Sequence, residues 1–178
     1  MVHLTGLLLM LSLVWPSPAV GQDPRLAARL DPETRERVEA TIAAARRDGL
    51  PVEPLVQKAL EGSSKGAAGP RIVAAVEAML GDLRLAKQAL GSEAAASELV
   101  AGVAALRAGA TPVMVGKMRQ LGPAGGVAVP LAVFTDLVAD GMAIDAAWRS
   151  VTELAEKGGD EEEFLNLRDR LRPMGERP

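Results

Sequence analysis

Glycine and proline recur along this chain at the spacing of helix boundaries, and this punctuation constrains the fold more than any other feature of the sequence. Prolines stand where first helical turns begin, and glycines follow the apolar stretches as C-terminal caps. Between them, apolar residues recur at steps of three and four, which is the period of an amphipathic helix. The sequence therefore predicts an all-α domain of about eight short to medium helices, packed as a helical bundle or as a solenoid-like stack of helix pairs.

The predicted helices follow from these signals, with Asp31, Ser92, Thr111 and Asp160 as helix-opening residues. They cover approximately residues 32–48, 53–61, 70–90, 93–108, 112–121, 127–140, 145–155 and 160–171. Residues 62–69 are expected to form a flexible loop. The apolar seam of 70–90 favours packing inside a bundle over a coiled coil, since it spans under three heptads. The segment 127–140 is rich in β-branched residues, so a short strand is the alternative to a buried helix there.

Three predicted helix ends resemble one another, around Gly49, Gly109 and Gly141. Their separations fit a helical hairpin of about thirty residues that is missing or degenerate once. Glycine-terminated helices also resemble each other for capping reasons alone, so both explanations stay open. None of the signatures of the tetratricopeptide, ankyrin or HEAT repeats is present.

Residues 1–21 are expected to be a cleaved signal peptide. Their apolar run from Leu7 to Trp15 is too short to span a bilayer as a helix, and Ala19 and Gly21 favour cleavage before Gln22. The alternative is a short apolar helix buried in a cytosolic fold. Cleavage would leave residues 22–172 as one helical domain, with a subdomain break near residue 91 and a flexible tail at 173–178. It predicts a secreted or periplasmic protein with no stable membrane insertion.

The part of the chain after residue 21 lacks the side chains that most enzyme chemistries require. The chain has no Cys and no Tyr, and its one histidine, His3, lies in the predicted signal peptide. Imidazole bases, thiolate nucleophiles and Cys/His zinc sites are therefore not expected. Only Phe134, Trp148 and Phe164 supply aromatic rings, which argues against sugar- or base-stacking surfaces. The mixed charges, with a net charge of -3, argue against a nucleic-acid partner.

Three motifs contain residue types that occur in active or metal sites, but none of them predicts a catalytic, cofactor-binding or metal-binding residue. The acidic run Asp160–Glu163 is best explained as a first helical turn that complements the helix dipole, since consecutive helical residues cannot converge on one ion. The loop at 62–69, with Lys65 and Arg71 nearby, lacks the order of a phosphate-binding loop and is interpreted as a plain connection. Ser64 and Lys65 lack the spacing of a Ser-Lys dyad.

Glutamates leave one catalytic alternative open, an envelope hydrolase that uses a pair of carboxylates. The six glutamates considered for it are all expected on polar helix faces: Glu39, Glu53, Glu61, Glu77, Glu98 and Glu153.

The preferred interpretation is an exported non-catalytic protein, a protein- or peptide-binding or scaffolding module of the bacterial envelope. Grooves between short helices would receive the partner. A periplasmic chaperone-like or stress protein is a further alternative. Six apolar residues near the similar helix starts were considered as binding surface, although most are expected in the core: Leu50, Val52, Val113, Met114, Met118 and Met142.

Overall fold

The computed structural model describes residues 23–123 and 125–172, and every element of regular structure within them is an α-helix. The helices are α1 (Pro24–Ala27), α2 (Pro32–Arg47), α3 (Glu53–Ser64), α4 (Gly69–Leu90), α5 (Ala96–Arg107), α6 (Pro112–Leu121), α7 (Ala128–Ala139), α8 (Ile144–Glu156) and α9 (Glu161–Leu171). The all-α prediction is confirmed, and the short α1 is added to the eight expected helices. The predicted signal peptide 1–21 and the tail 173–178 lie outside the described residues.

Three predicted helix starts have the expected side-chain caps. Asp31, Thr111 and Asp160 each accept a hydrogen bond from the backbone N–H three residues later, at 2.9, 3.2 and 2.9 Å. A proline follows the first two caps directly, where its missing N–H costs no hydrogen bond.

The predicted cap at Ser92 is wrong. Gly91 turns the chain with φ +92°, and α5 begins only at Ala96, with Ala95 as the N-cap residue. Alanine has no side-chain acceptor, so the opposite half of a capping box takes over: the Glu98 carboxylate accepts the Ala95 N–H at 2.9 Å.

Two other segments differ from their predicted form. Helix α3 continues to Ser64, so the connection to α4 is only residues 65–68 rather than 62–69. The segment expected as a helix or a short strand is the helix α7. An isolated strand there would leave its backbone N–H and C=O groups without partners, whereas a helix satisfies them internally.

The three similar helix ends share one hydrogen-bonded closure. Gly49, Gly109 and Gly141 have φ of +63°, +106° and +95°. In each case the next residue donates its N–H to the carbonyl five positions back, at 2.9, 2.9 and 3.0 Å. This is the Schellman motif, and it also closes the helices before Gly66 and Gly158. Capping geometry is therefore sufficient to explain why these ends look alike.

The helices pack in chain order, as in a solenoid. Every helix pair with an extensive interface lies one or two positions apart along the chain. Helices α2, α4, α5, α7 and α9 contact one another in succession. Along the chain, α3 lies between α2 and α4, α6 between α5 and α7, and α8 between α7 and α9.

Helices α2 and α4 are parallel, since Gly69 lies against Thr34 at their starts and Arg84 pairs with Asp48 near their ends. The direction reverses between α4 and α5, where a Cβ at Gly102 would lie 3.3 Å from the Ala86 Cβ.

A 32-residue register relates the second half of the stack. Helices α5, α7 and α9 begin at residues 96, 128 and 161 and end at 107, 139 and 171. Helices α6 and α8 begin at 112 and 144. Helix α9 is parallel to α7, because Arg168 and Arg172 pair with Asp136 and Asp140.

One hydrophobic core runs through the described residues, built mainly from Leu, Val, Ile, Met and Ala side chains. Phe134 and Phe164 are fully buried, and the Trp148 ring meets Phe134 edge-on with 5.7 Å between centroids. None of the described helices combines the length and the apolar composition that a membrane span requires.

The six apolar residues considered as binding surface mostly belong to the core. Leu50 and Met118 are buried. Val52, Met114 and Met142 are half-buried and pack against the core. Val113 is the exception, with 80% of its surface exposed.

Candidate functional site

Two open grooves flank the C-terminal half of α3. The groove on one side lies against α1 and has a volume of about 580 Å³. Its lining residues are Arg25, Ala28, Arg29, Gln57, Leu60, Glu61 and Ser64. We call it the α1/α3 groove. The turn after α1 is fastened to α3 by the Ser63 hydroxyl, which donates to the Arg29 carbonyl at 2.8 Å.

A bidentate ion pair sets one edge of the α1/α3 groove. The Arg25 guanidinium donates to both Glu53 oxygens at 2.8 Å and also contacts Asp23. The Gln57 amide donates to Glu53 Oε1 at 2.7 Å. Hydrogen bonds from Arg25 and then from Gln57 lower the pKa of Glu53 from 4.5 to about 2. Arg25 and Glu53 are therefore both charged at neutral pH and form an ion pair.

The second groove lies between α3 and the start of α4 and has a volume of about 570 Å³. We call it the α3/α4 groove. Its charged lining residues are Lys58, Glu61, Lys65 and Arg71, and the rest of its lining is small or apolar, including Gly62, Ala67 and Ile72. Helices α3 and α4 come close here, since a Cβ at Gly62 would lie 3.0 Å from Ile72 Cγ1. Both grooves fall in the size range of ligand pockets, about 300–1,000 Å³.

Glu61 lies between the two grooves and lines both. Its Oε2 accepts from Lys58 Nζ at 2.6 Å, and its Oε1 accepts from Lys65 Nζ at 2.5 Å. These hydrogen bonds, from Lys58 first and Lys65 second, lower the pKa of Glu61 from 4.5 to about 2. One carboxylate therefore holds two ammonium groups at the rim of the α3/α4 groove.

Glu98 is the one glutamate of the predicted set that is fully buried, with 7% of its surface exposed. The expectation that it lies on a polar face is wrong. Its carboxylate accepts from the N–H groups of Ala95 and Val127 and from Arg119 Nη1, at 2.9, 3.1 and 2.8 Å. Burial raises its pKa, but the two backbone N–H groups and Arg119 outweigh burial and hold the pKa below its usual value.

The other glutamates considered for a hydrolase lie on different helices. Glu77 is exposed on α4 and pairs loosely with Arg37 at 3.8 Å. Glu153 is exposed on α8. Glu39 is half-buried on α2, and its Oε1 is buried with no hydrogen-bond partner among the described residues.

Two of the three sequence motifs, the acidic run and the Ser64–Lys65 pair, contain side chains that cap or bond a helix end. Asp160 and Glu163 form a reciprocal capping box at the start of α9. The Ser64 hydroxyl donates to the Glu61 carbonyl at 2.8 Å rather than facing Lys65. In the described part of the chain, no three His, Cys, Asp or Glu side chains converge as they would around a metal ion.

Comparison of the chain with protein-family models, with curated proteins and with solved structures finds no match in any of the three.

The sequence predicts no binding residue here, because it places Lys65 and Arg71 at or beside the connection 62–69 and favours a plain connection there. The structure brings both cations to one groove with Lys58 and Glu61. The helical spacing of Lys58, Glu61 and Lys65 at three and four residues was the signal for their ion pairs. The α1/α3 groove was missed, because Arg25 and Glu53 are 28 residues apart and α1 carries no periodic pattern of its own.

Proposed function

We propose that this protein is a non-catalytic binding module that holds a segment of a partner protein against α3. The observation that carries the proposal is the pair of grooves along the C-terminal half of α3. Each groove is formed where two helices meet, which is a usual place for a partner's peptide or helix to lie. The Arg25–Glu53 ion pair and the Ser63–Arg29 hydrogen bond link α1 and the turn after it to α3, which would reduce the conformational entropy lost on binding in the α1/α3 groove.

Site-specific photo-crosslinking tests this proposal. A photoreactive amino acid is placed at Ser64, which is exposed in the α1/α3 groove, and in a control variant at Glu162, which is exposed on α9. We expect a crosslinked adduct of defined mass in envelope extract of the producing bacterium with the Ser64 variant only, and competition by unmodified protein. Identical adduct patterns at both positions, or no adduct at Ser64, would contradict a partner site on α3.

The structural support for a carboxylate-pair hydrolase is weaker. A general acid of that kind needs a raised pKa so that it is protonated near neutral pH. The pKa values of Glu53 and Glu61 are about 2, and the pKa of Glu98 is also lowered. These three carboxylates are therefore ionised at neutral pH and hold no proton to donate as a general acid.

We also propose that the module acts outside the cytoplasm, after removal of residues 1–21. The support is the sequence pattern of those residues. N-terminal sequencing of the protein recovered from periplasm or medium should begin at Gln22. Recovery of the protein with Met1 intact would contradict the proposal.

A further inference from the structure

We infer that the α3/α4 groove binds an extended acidic peptide segment, with Lys65 and Arg71 contacting its carboxylates and the apolar lining receiving an intervening side chain. This inference rests on the proposed function and adds the chemistry of the ligand.

The charge of the groove supports an acidic ligand. Its lining carries three cations, Lys58, Lys65 and Arg71, and one carboxylate, Glu61. Arg71 forms no ion pair in the described part of the chain, and Glu61 must serve two ammonium groups at once. The groove therefore keeps a positive charge on a chain whose formal net charge is -3. A local charge opposite in sign to the whole chain favours a ligand of the complementary sign.

The position of the cations supports an extended peptide rather than a single small anion. Lys65 is the first residue of the connection 65–68, and Arg71 lies in the first turn of α4, so the two cations flank residues 66–68. Between them the lining is Gly66, Ala67 and Ala68, with Ile72 beneath. Charged groups flanking a small apolar surface match a peptide with acidic residues at positions i and i+4 and an apolar residue at i+2, since every second side chain of an extended chain lies on the same face.

Both lysines contact Glu61 in the absence of a ligand. Glu61 holds Lys58 Nζ at 2.6 Å and Lys65 Nζ at 2.5 Å. Lys65 keeps 69% of its side chain exposed, so its ammonium group has room for a second carboxylate. Lys58 is mostly covered and serves to orient Glu61.

Fluorescence anisotropy with a defined probe tests the inference. The probe is a fluorescein-labelled decapeptide in which Glu and Leu take turns at the odd positions and Ser fills the even positions, and the control peptide has Lys in place of each Glu. We expect saturable binding of the acidic peptide only, weakened by added salt. Arg71→Glu should raise the Kd about tenfold or more, whereas Arg170→Glu, which reverses an exposed charge on α9, should change it less than about twofold.

The possible results separate this inference from the proposed function. Equal binding of the two peptides, or equal loss in the two variants, overturns the acidic-ligand inference. If the Ser64 crosslink persists while the acidic peptide fails to bind, the proposed binding function is supported and the acidic-ligand inference is overturned. Loss of both signals removes the proposed function as well. Cosedimentation with anionic phosphatidylglycerol vesicles that Arg71→Glu abolishes would assign the groove to a lipid surface and overturn the inference.

Discussion

At the scale of single residues, the buried carboxylate of Glu98 has the largest structural role. It bonds the start of α5, the side chain of Arg119 on α6 and the backbone N–H of Val127 before α7. One side chain thus fixes how three helices meet. The approach is so close that a Cβ at Gly126 would lie 2.8 Å from Glu98 Oε1.

Replacing Glu98 by Ala should lower the free energy of unfolding by about 3 kcal/mol, because a charged hydrogen-bond acceptor is lost and the Val127 N–H is left buried without a partner. The matched control is Glu93→Ala, which removes an exposed glutamate five residues away and should cost under about 0.5 kcal/mol. Urea denaturation followed by circular dichroism measures both. Equal losses would contradict the structural role of Glu98.

Alanine substitutions at two neighbouring glycines can distinguish the cost of backbone strain from the cost of crowding. Gly125 and Gly126 have similar positive φ, +82° and +88°, but a Cβ at Gly125 has nothing within 4 Å. Gly125→Ala should therefore cost only the left-handed strain, about 1–2 kcal/mol. Gly126→Ala should cost about 1–2 kcal/mol more, since it also displaces the Glu98 carboxylate. Thermal melts of the two variants give the difference, and its absence would argue against this contact.

At the scale of helices, boundary signals predicted most of the structure. The glycine ends at 49, 109 and 141 were predicted because a left-handed C-terminal residue strongly favours glycine. The start of α5 was misplaced because Ser92 offers a capping hydroxyl, while the actual N-cap, Ala95, offers none. The error displaced Glu98 from the third helical position to the sixth. At the third position its carboxylate reaches the helix start, which is why its burial could not be foreseen.

The contribution of the α9 capping box to stability can be measured by comparison with an acidic residue that lies near a helix start but forms no capping hydrogen bond. Asp160→Ala removes the acceptor for the Glu163 N–H and should cost about 1 kcal/mol. Asp145→Ala removes an acid from the first turn of α8, where no such bond is formed, and should cost only a few tenths of a kcal/mol through the helix dipole. Denaturant unfolding measures both values. A ranking in the opposite order would mean that the capping box does not stabilise α9.

At the scale of the whole molecule, packing follows the order of the chain, so neither helix pairing nor layer order needed long-range sequence information. The grooves on either side of α3 depend instead on how α1 and α4 approach it. That approach is decided by individual contacts, such as Gly62 against Ile72 and Ser63 against the Arg29 carbonyl. No periodic pattern encodes such contacts, which is why the sequence predicts an all-α bundle or stack but neither of the two grooves.

The free energy of unfolding should depend on pH in the acidic range. Glu53 and Glu61 have folded-state pKa values of about 2 against a usual 4.5, and the pKa of Glu98 is lowered as well. A lowered carboxyl pKa stabilises the folded state above the unfolded pKa, and that stabilisation is lost as the pH falls through the folded pKa. The contribution of these three carboxylates to the free energy of unfolding should therefore be constant above about pH 5. It should decrease as the pH falls from about 4.5 to about 2.

Urea titrations at half-unit pH intervals measure this profile. Glu98→Gln should reduce the acid-dependent decrease, because one of the contributing carboxylates is gone. A wild-type profile that stays level down to pH 2 would contradict the ion pairs described for these glutamates.

The 32-residue register of α5, α7 and α9 has a consequence for how such a chain can change length. Residues 108–139 begin just after the end of α5 and stop at the end of α7. The turns that follow α5 and α7 have the same hydrogen bonds, so a second copy of 108–139 inserted after residue 139 would continue the chain at an equivalent point. The duplicated segment would add a second copy of the helix pair α6 and α7 and leave both termini of the array as they are. Growth by whole increments, rather than by insertion into loops, is the route of enlargement that this architecture permits.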